Sequence, residues 1–124
     1  MRNGFIQLLS QFGPLSDGTA DNIRQFSERI EIPAQYHLLQ TGQICRYIYV
    51  IEQGLVRMFY EHDGREVTGF FFTEGLGFTS LESFLQQTPS IQALMSLEAC
   101  VLWRISIDGF QKLLSERHLR PEQD

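Results

Sequence analysis

The sequence has little lysine and no long apolar run. Lysine occurs once, at Lys112, and the 124 residues carry a formal net charge of −5. A domain that holds a nucleic-acid backbone needs clustered Lys and Arg to displace counterions, so direct DNA binding by this chain is not expected. No apolar stretch approaches the roughly 20 residues of a membrane span. The N-terminus also lacks the pattern of a signal peptide. We therefore expect a cytoplasmic protein with no membrane partner.

Cysteine and histidine are also scarce. Two cysteines, Cys45 and Cys100, are too few to hold an iron–sulfur cluster unaided. We interpret them as buried, reduced thiols, with a redox disulfide left open because the sequence does not give their separation. The three histidines, His37, His62 and His118, form no His-x-His pair of the kind that metal-binding barrels use. With no nucleophile or Walker motif either, we expect neither catalysis, nor a metal, nor a cofactor.

A series of short apolar runs fills the middle of the chain, from Gly42 to Ile107. The runs are rich in Val, Ile, Tyr and Phe, and turn residues separate them: Gln53-Gly54, Asp63-Gly64 and Glu74-Gly75. This pattern is typical of antiparallel strands joined by tight turns. Regular turn spacing without a long intervening helix favours a closed barrel or a double-sheet jelly roll. We therefore predict a mainly β fold, a double-stranded jelly-roll β-barrel. A further strand is predicted over Tyr36 to Gln40.

Two helices are predicted before the strands, over residues of about 3–31. The first has apolar residues at helical spacing and stops at Gly13-Pro14; these residues are Phe5, Leu8, Leu9 and Phe12. The second begins after a Ser16-Asp17 cap and ends at Ile32-Pro33. Its apolar face is predicted to consist of Ile23, Phe26 and Ile30.

Two more helices are predicted later in the chain. A short helix is predicted in the stretch Thr79 to Leu85, with Thr79 or Ser80 as its cap, and it interrupts the strand series before Pro89. Ser106 caps a closing helix of about 107–118, whose buried stripe is predicted to be Phe110, Leu113 and Leu114. We expect Arg117 to Asp124 to fray. The whole chain, 1–124, then forms one domain, with a β-roll of about 34–106.

The side-chain alternation of a strand sends Phe71 to the opposite face from Phe70 and Phe72. One of these faces belongs to the core. The other is a partner surface or a pocket wall, or it is buried under the N-terminal helices. In the short helix, we interpret Leu81, Phe84 and Leu85 as covering the mouth of the barrel.

This order of elements resembles the cyclic nucleotide-binding domain, and in particular the sensor half of the Crp/Fnr family of bacterial transcription regulators. The resemblance rests on segments that follow one another over nearly the whole chain: Phe12–Ser16, Leu39–Gln43, Tyr47–Arg57, Asp63–Val67, Glu74-Gly75, and Leu97–Ser106 followed by Phe110. It implies a phosphate-binding cassette in the loop and short helix between the two halves of the roll.

The corresponding segment here is Leu76 to Gln92. Thr79 stands where the family usually has glycine, and Ser80 where it has the glutamate that binds the sugar. Ser90 lies near the position of the phosphate-binding arginine, and Ile91 near the small hydroxyl residue beside it. The residues that the resemblance implies for ligand binding are Phe78, Thr79, Ser80, Leu81, Glu82, Ser90 and Ile91.

The charges of this segment do not suit a phosphate. No Lys or Arg occurs between Arg65 and Arg104, whereas four glutamates do: Glu66, Glu74, Glu82 and Glu98. A phosphate without its cation loses a charge-assisted bond of about 1.5–3 kcal/mol. An approach by Arg57, Arg65 or Arg104 from a neighbouring strand stays open, although strand arginines beside turns usually point to water. We predict that the domain does not bind cyclic AMP in the usual way.

The resemblance also implies partners. It implies a small-molecule effector, a homodimer, and contact with DNA only through a further C-terminal domain. Because the chain ends at Asp124, we expect either a fragment of a longer regulator or a free-standing sensor. One alternative is a jelly-roll protein-interaction module without a small-molecule ligand. A cupin-like enzyme would share the roll but would need the metal-binding histidines.

Overall fold

The computed structural model describes residues 2–115. Four helices and eight strands follow one another in this part of the chain. The helices are α1 (Gly4–Ser10), α2 (Asp17–Phe26), α3 (Leu81–Gln86) and α4 (Ile107–Ser115). The strands are β1 (Ser27–Ile32), β2 (His37–Leu39), β3 (Tyr47–Gln53), β4 (Val56–His62), β5 (Arg65–Phe72), β6 (Gly77–Phe78), β7 (Gln92–Ser96) and β8 (Cys100–Ser106).

The strands form two four-stranded antiparallel sheets. Their orders are β1-β8-β3-β6 in the first sheet and β2-β7-β4-β5 in the second. Neighbours in each sheet are mostly distant in sequence, as expected when a chain winds between two packed sheets. The predicted fold class, a mainly β jelly roll with helices at both ends and one in the loop, is confirmed.

The main core lies between the two sheets. Ile30, Leu102 and Ile51 are register partners across β1, β8 and β3, and they face this core. Val56 and Leu94 enter it from the second sheet. A second apolar cluster covers the other face of the first sheet, where α1, α2 and α4 pack. Its buried members are Phe5, Ile23, Val50, Ile105 and Leu113. These three helices therefore cover the outer face of the first sheet.

The predicted tight turns join the strands. Asp63 and Gly64 have φ values of 52° and 76°, as in the turns that favour Asp-Gly in a two-residue hairpin. Gly54 connects β3 to β4 with a φ of 118°. Glu74-Gly75 turns the chain between β5 and β6.

The second N-terminal helix is shorter than predicted. It ends at Phe26, and Ser27–Ile32 form β1, paired with β8 along its whole length. Ile23, Phe26 and Ile30 have helical spacing, but Ile30 also fits a strand pattern. Ile30 and Ile32 are two residues apart, as on one face of a strand, and both face the core. The prediction of helix over 27–31 was therefore wrong.

Two apolar residues that were assigned to helices, Phe12 and Leu114, are exposed. Helix α1 ends at Ser10, so Phe12 lies beyond it and its side chain is 84% exposed. In α4, Ser106 caps the helix by accepting a bond from the Gly109 N–H at 3.0 Å, as predicted. Phe110 and Leu113 pack inward, but Leu114 is exposed. Residues 116–118 of the predicted helix, and the predicted frayed end, lie outside the described residues.

None of the helices in residues 2–115 is long and apolar enough to cross a bilayer.

Candidate ligand pocket

A pocket of about 400 Å³ lies between β4, β5 and the segment that carries α3. Its apolar lining is Met58, Phe70, Phe72, Leu81, Pro89 and Ile91. Its polar lining is Thr79, Ser80, Glu82, Ser83, Ser90 and Gln92. This volume is within the range of small-molecule sites, which are mostly apolar with a few placed polar groups.

The structure brings six of the seven predicted ligand-binding residues together around this pocket: Thr79, Ser80, Leu81, Glu82, Ser90 and Ile91. Phe78 does not line it. The Phe78 ring is buried in the core, stacked between Tyr49 at 5.1 Å and Phe72 at 5.0 Å. Phe78 therefore supports the pocket wall from behind.

The floor of the pocket is a network of neutral polar groups. The hydroxyls of Ser80 and Ser90 lie 2.7 Å apart, and both residues are buried. Ser80 also donates to Gln92 Oε1 at 3.0 Å. Ser90 accepts from the Gln92 backbone N–H and contacts its carbonyl oxygen, each at 2.9 Å. These bonds join the two ends of the loop beneath α3.

Helix α3 is fixed to the start of β3. Ser80 occupies its N-cap position but makes no side-chain cap bond, because its hydroxyl serves the floor network. The Thr79 hydroxyl donates to the Tyr47 carbonyl at 2.8 Å. At the other end, Gln87 is left-handed with a φ of 55°, and its side chain donates to the Cys45 carbonyl at 2.9 Å. The pocket residues on α3 are thus held by the loop before β3.

Glu82 is the one charged side chain that lines the pocket among the described residues. It is exposed at the first turn of α3. The lining has no Arg, Lys or His within residues 2–115. The charge of the pocket is therefore negative.

Arg57 does not reach the pocket. Its Nε donates to the Thr68 hydroxyl at 2.7 Å, and its Nη1 lies 3.2 Å from the Glu66 carboxylate. The guanidinium also stacks 4.3 Å from the centre of the Phe59 ring. Its register partner is Phe71, on the face of β5 opposite to Phe70. Arg57 is mostly buried there instead of pointing to water.

Arg104 lies on the inner face of the first sheet, beside Tyr49 in register. Its guanidinium stands 4.1 Å from the centre of the Tyr47 ring and bonds the Glu28 carboxylate. Tyr49 lies between this cation and Phe78. Burial raises the pKa of Tyr49 well above its usual range, so this phenol stays neutral. Arg65, at the β4–β5 hairpin, is exposed and does not line the pocket.

The three phenylalanines of β5 occupy two faces, as the alternation predicts. Phe70 and Phe72 contact each other at 4.8 Å between ring centres, and both line the pocket. Phe71 is on the outer face and is half exposed. The N-terminal helices pack on the first sheet, so none of the three is buried beneath them. The core-side face is that of Phe70 and Phe72, and it also forms the pocket wall. The other face, with Phe71, does not line the pocket.

The cysteines are free and buried, as predicted. Burial raises the pKa of the Cys100 thiol. The Cys45 sulfur lies 3.2 Å from the Thr79 hydroxyl. Within the described part of the chain, no group of three or more His, Cys, Asp or Glu is placed to hold a metal ion.

A larger groove of about 780 Å³ lies beside α1, away from the pocket. Its lining mixes Arg2 and Arg24 with Glu52 and Glu74. Glu52 is bound by Arg29 and by the Trp103 indole N–H, so it serves the fold. We regard the smaller pocket as the candidate site, because it combines an aromatic wall with a polar floor.

Sequence reasoning missed four pocket residues: Met58, Ser83, Pro89 and Gln92. Gln92 lies within the segment that the resemblance identified, and Ser83 lies on the predicted short helix. For Met58, no pattern in the sequence indicates a pocket residue. Its place follows from the pairing of β4 with β5, where Met58 is opposite Phe70.

Two packed antiparallel sheets with a pocket formed by a loop and short helix define a β-roll. The family model of the cyclic nucleotide-binding domain matches residues 29–117. The chain therefore belongs to the cyclic nucleotide-binding domain family. A search of curated protein sequences finds no match.

Similar folds occur among solved structures. The regulatory domain of Toxoplasma gondii PKA with cAMP has a TM-score of 0.77 at 22% identity, covering 89% of this chain and 43% of that one. For the Thermus thermophilus catabolite activator protein, the TM-score is 0.73 at 21% identity, covering 84% of this chain and 49% of that one. The sensor domain of the Pseudomonas aeruginosa transcriptional regulator DNR gives 0.75 at 18% identity, covering 89% and 76%. The chain thus spans less than half the length of the first two. At these identities, the likeness establishes the fold.

Proposed function

We propose that this chain is a regulatory sensor domain of the Crp/Fnr type, and that its pocket does not bind cyclic AMP in the usual way. Three things support the sensor role: the membership of the family, the fold shared with a bacterial transcription regulator's sensor domain, and the order of segments along the sequence. The role is one of binding and signalling rather than catalysis. A small-molecule effector, a homodimer and a separate DNA-binding part belong to the same proposal.

The observation that carries the ligand proposal is the neutral floor beneath one carboxylate. Ser80 and Ser90 hydrogen-bond to each other where the family places a glutamate and, nearby, an arginine. A phosphate bound here would lack a charge-assisted bond of about 1.5–3 kcal/mol. It would also stand near Glu82, which adds repulsion. Both effects disfavour an anionic nucleotide.

A route for the signal runs from α3 to α4. Phe84 of α3 is buried, and its ring meets Phe110 of α4 edge-on at 5.3 Å. A ligand that moves α3 would therefore press on the helix at the C-terminal end of the roll. Packed side chains of this kind transmit a shift because the core cannot deform continuously.

Equilibrium titration with cyclic AMP and cyclic GMP tests the proposal. Isothermal calorimetry on the purified chain should show no binding of either nucleotide at micromolar concentration. Micromolar binding of either nucleotide would overturn the ligand part of the proposal.

The alternative function, a protein-interaction module without a small-molecule ligand, is favoured by one observation. Phe71 is half exposed on the outer face of the second sheet, against which no described helix packs extensively. Exposed aromatic groups often mark interaction sites. Sedimentation across a concentration series, with Phe71→Ala beside the original chain, tests pairing through this face. A strict monomer would count against pairing through this face.

A further inference from the structure

The mouth of the pocket is apolar and open. Phe70 is 51% exposed, Leu81 61% and Ile91 77%, and all three line the pocket. Large apolar side chains gathered at one opening are unusual on a free surface and indicate a bound partner or ligand. The buried hydroxyls of Ser80 and Ser90 lie beneath this rim. The pocket is thus amphipathic, with an apolar entrance above a polar floor.

The wall of the pocket is aromatic. The rings of Phe70 and Phe72 are 4.8 Å apart between centres and tilted by 39°. Phenyl rings prefer flat partners that stack or meet them edge-on, and their faces also attract cations. The shape and chemistry of the wall therefore favour a flat ligand.

The charge of the pocket limits the ligand further. Glu82 is the charged residue of the described lining. Arg57 and Arg104 are held elsewhere by Glu66 and Glu28, and Arg65 does not line the pocket. Gln92 Oε1 accepts a hydrogen bond from the Ser80 hydroxyl, and this is the one hydrogen bond of the Gln92 side chain among the described residues. The floor thus offers hydroxyl and amide groups, which suit neutral polar atoms.

We infer that the pocket takes a flat, apolar small molecule that carries no negative charge. The inference rests on the proposed function, since it names the ligand class of the same site. The rings of Phe70 and Phe72 stack on the ligand, Leu81 and Ile91 cover it, and Glu82 repels anions and attracts a positive group.

A matched pair of fluorescent probes tests the inference. N-phenylnaphthylamine is neutral, and anilinonaphthalene sulfonate is the same ring system with a sulfonate. In fluorescence titrations of the purified chain, the dissociation constant of the neutral probe should be at least about tenfold lower than that of the anionic probe. The Glu82→Gln variant should narrow this difference, whereas the exposed Glu98→Gln control should leave it unchanged.

Variants of β5 locate the binding. Phe70 and Phe71 are adjacent, each 51% exposed, and on opposite faces of the strand. Phe70→Ala should weaken binding of the neutral probe by about tenfold, and Phe71→Ala should not. Ile91→Ala, at a highly exposed position, gives a second weakened variant that does not threaten folding. Thermal melts confirm that each variant is folded.

The outcomes are distinct. Tight, Phe70-dependent binding of the sulfonate would overturn the inference about charge while leaving a ligand pocket in place. Binding of either probe that is insensitive to Phe70, or the absence of binding, would overturn the inference as a whole. The cyclic nucleotide titration decides the proposed function separately, because neither probe is a nucleotide.

Discussion

The side-chain oxygens of Ser80 and Ser90 lie 2.7 Å apart beneath α3, although ten residues separate them in the chain. The hydrogen bond closes the base of the loop that forms the pocket. In the resemblance to the Crp/Fnr family, these positions correspond to a glutamate and, nearby, to an arginine. Here two neutral serines occupy these positions. Their hydrogen bond closes the loop, and neither residue gives the pocket a charge.

We predict that Ser90→Ala destabilises the protein by about 1–3 kcal/mol. The Ser90 hydroxyl is buried and contacts Ser80 and both backbone groups of Gln92, so its loss leaves buried polar groups unpaired. Urea unfolding followed by circular dichroism measures the change. Ser115→Ala removes an exposed hydroxyl bond and serves as the control. It should cost less than about 0.5 kcal/mol. If Ser90→Ala and Ser115→Ala lowered the free energy of unfolding equally, the floor network would not stabilise the loop.

We predict that Gly54→Ala is strongly destabilising and Gly64→Ala only mildly so. Both glycines have positive φ, at 118° and 76°, which costs an L-residue about 1–2 kcal/mol. A Cβ on Gly54 would also collide with the Cys100 sulfur and come within 3.0 Å of the Ala99 carbonyl oxygen. At Gly64, nothing lies within 4 Å. Thermal unfolding measures the loss of stability in each variant. A smaller loss for Gly54→Ala than for Gly64→Ala would contradict the tight packing of Gly54 against Ala99 and Cys100.

We predict that the contribution of Glu52 to stability depends on pH. Arg29 donates two bonds to its carboxylate, at 3.1 and 2.8 Å, and the Trp103 indole N–H donates a third at 2.9 Å. The bond from Arg29, above all, lowers the pKa of Glu52 in the folded state. A lowered pKa means that the stabilisation is present above the ordinary glutamate pKa of about 4.3, and that it is lost as the pH falls through the folded-state value.

The Glu52→Gln variant tests this dependence. Its deficit in unfolding free energy against the original chain should be present at neutral pH and should shrink in acid. Trp103 is the single tryptophan, so its fluorescence reports the unfolding directly. A deficit that stays constant between neutral pH and the acid range would be inconsistent with an ionised Glu52 in the bonds described.

The strands could be predicted because they carry their own signals. Asp63-Gly64 specifies a hairpin turn, and the apolar residues of β3 and β8 need a core on both sides. Strand β1 was missed because Ile23, Phe26 and Ile30 fit a helix as well as Ile30 and Ile32 fit a strand. Pairing with β8 decides between them, and that pairing joins residues that are far apart in sequence.

The pocket could be predicted only in part. The resemblance identified the segment that carries α3, because a loop with its short helix is continuous in sequence. The bond between Ser80 and Ser90 could not be foreseen, since it spans a loop whose closure the sequence does not show. Alternation predicted that Phe70 and Phe71 face opposite ways, but only the packing of β5 against the α3 segment shows which of them lines the pocket.

The central claim is that the pocket lacks a cation for a phosphate, and its most direct test restores the missing charges. In the Ser80→Glu, Ser90→Arg double variant, the arginine supplies the cation for a phosphate and the glutamate supplies an acceptor for a sugar hydroxyl. A neutral Ser80→Gln, Ser90→Met variant of similar bulk is the control, and thermal melts check that both are folded. Calorimetric titration with cyclic AMP should show micromolar binding for the charged variant alone, a gain of at least about tenfold. If the original chain binds cyclic AMP as tightly as the charged variant, the account is wrong.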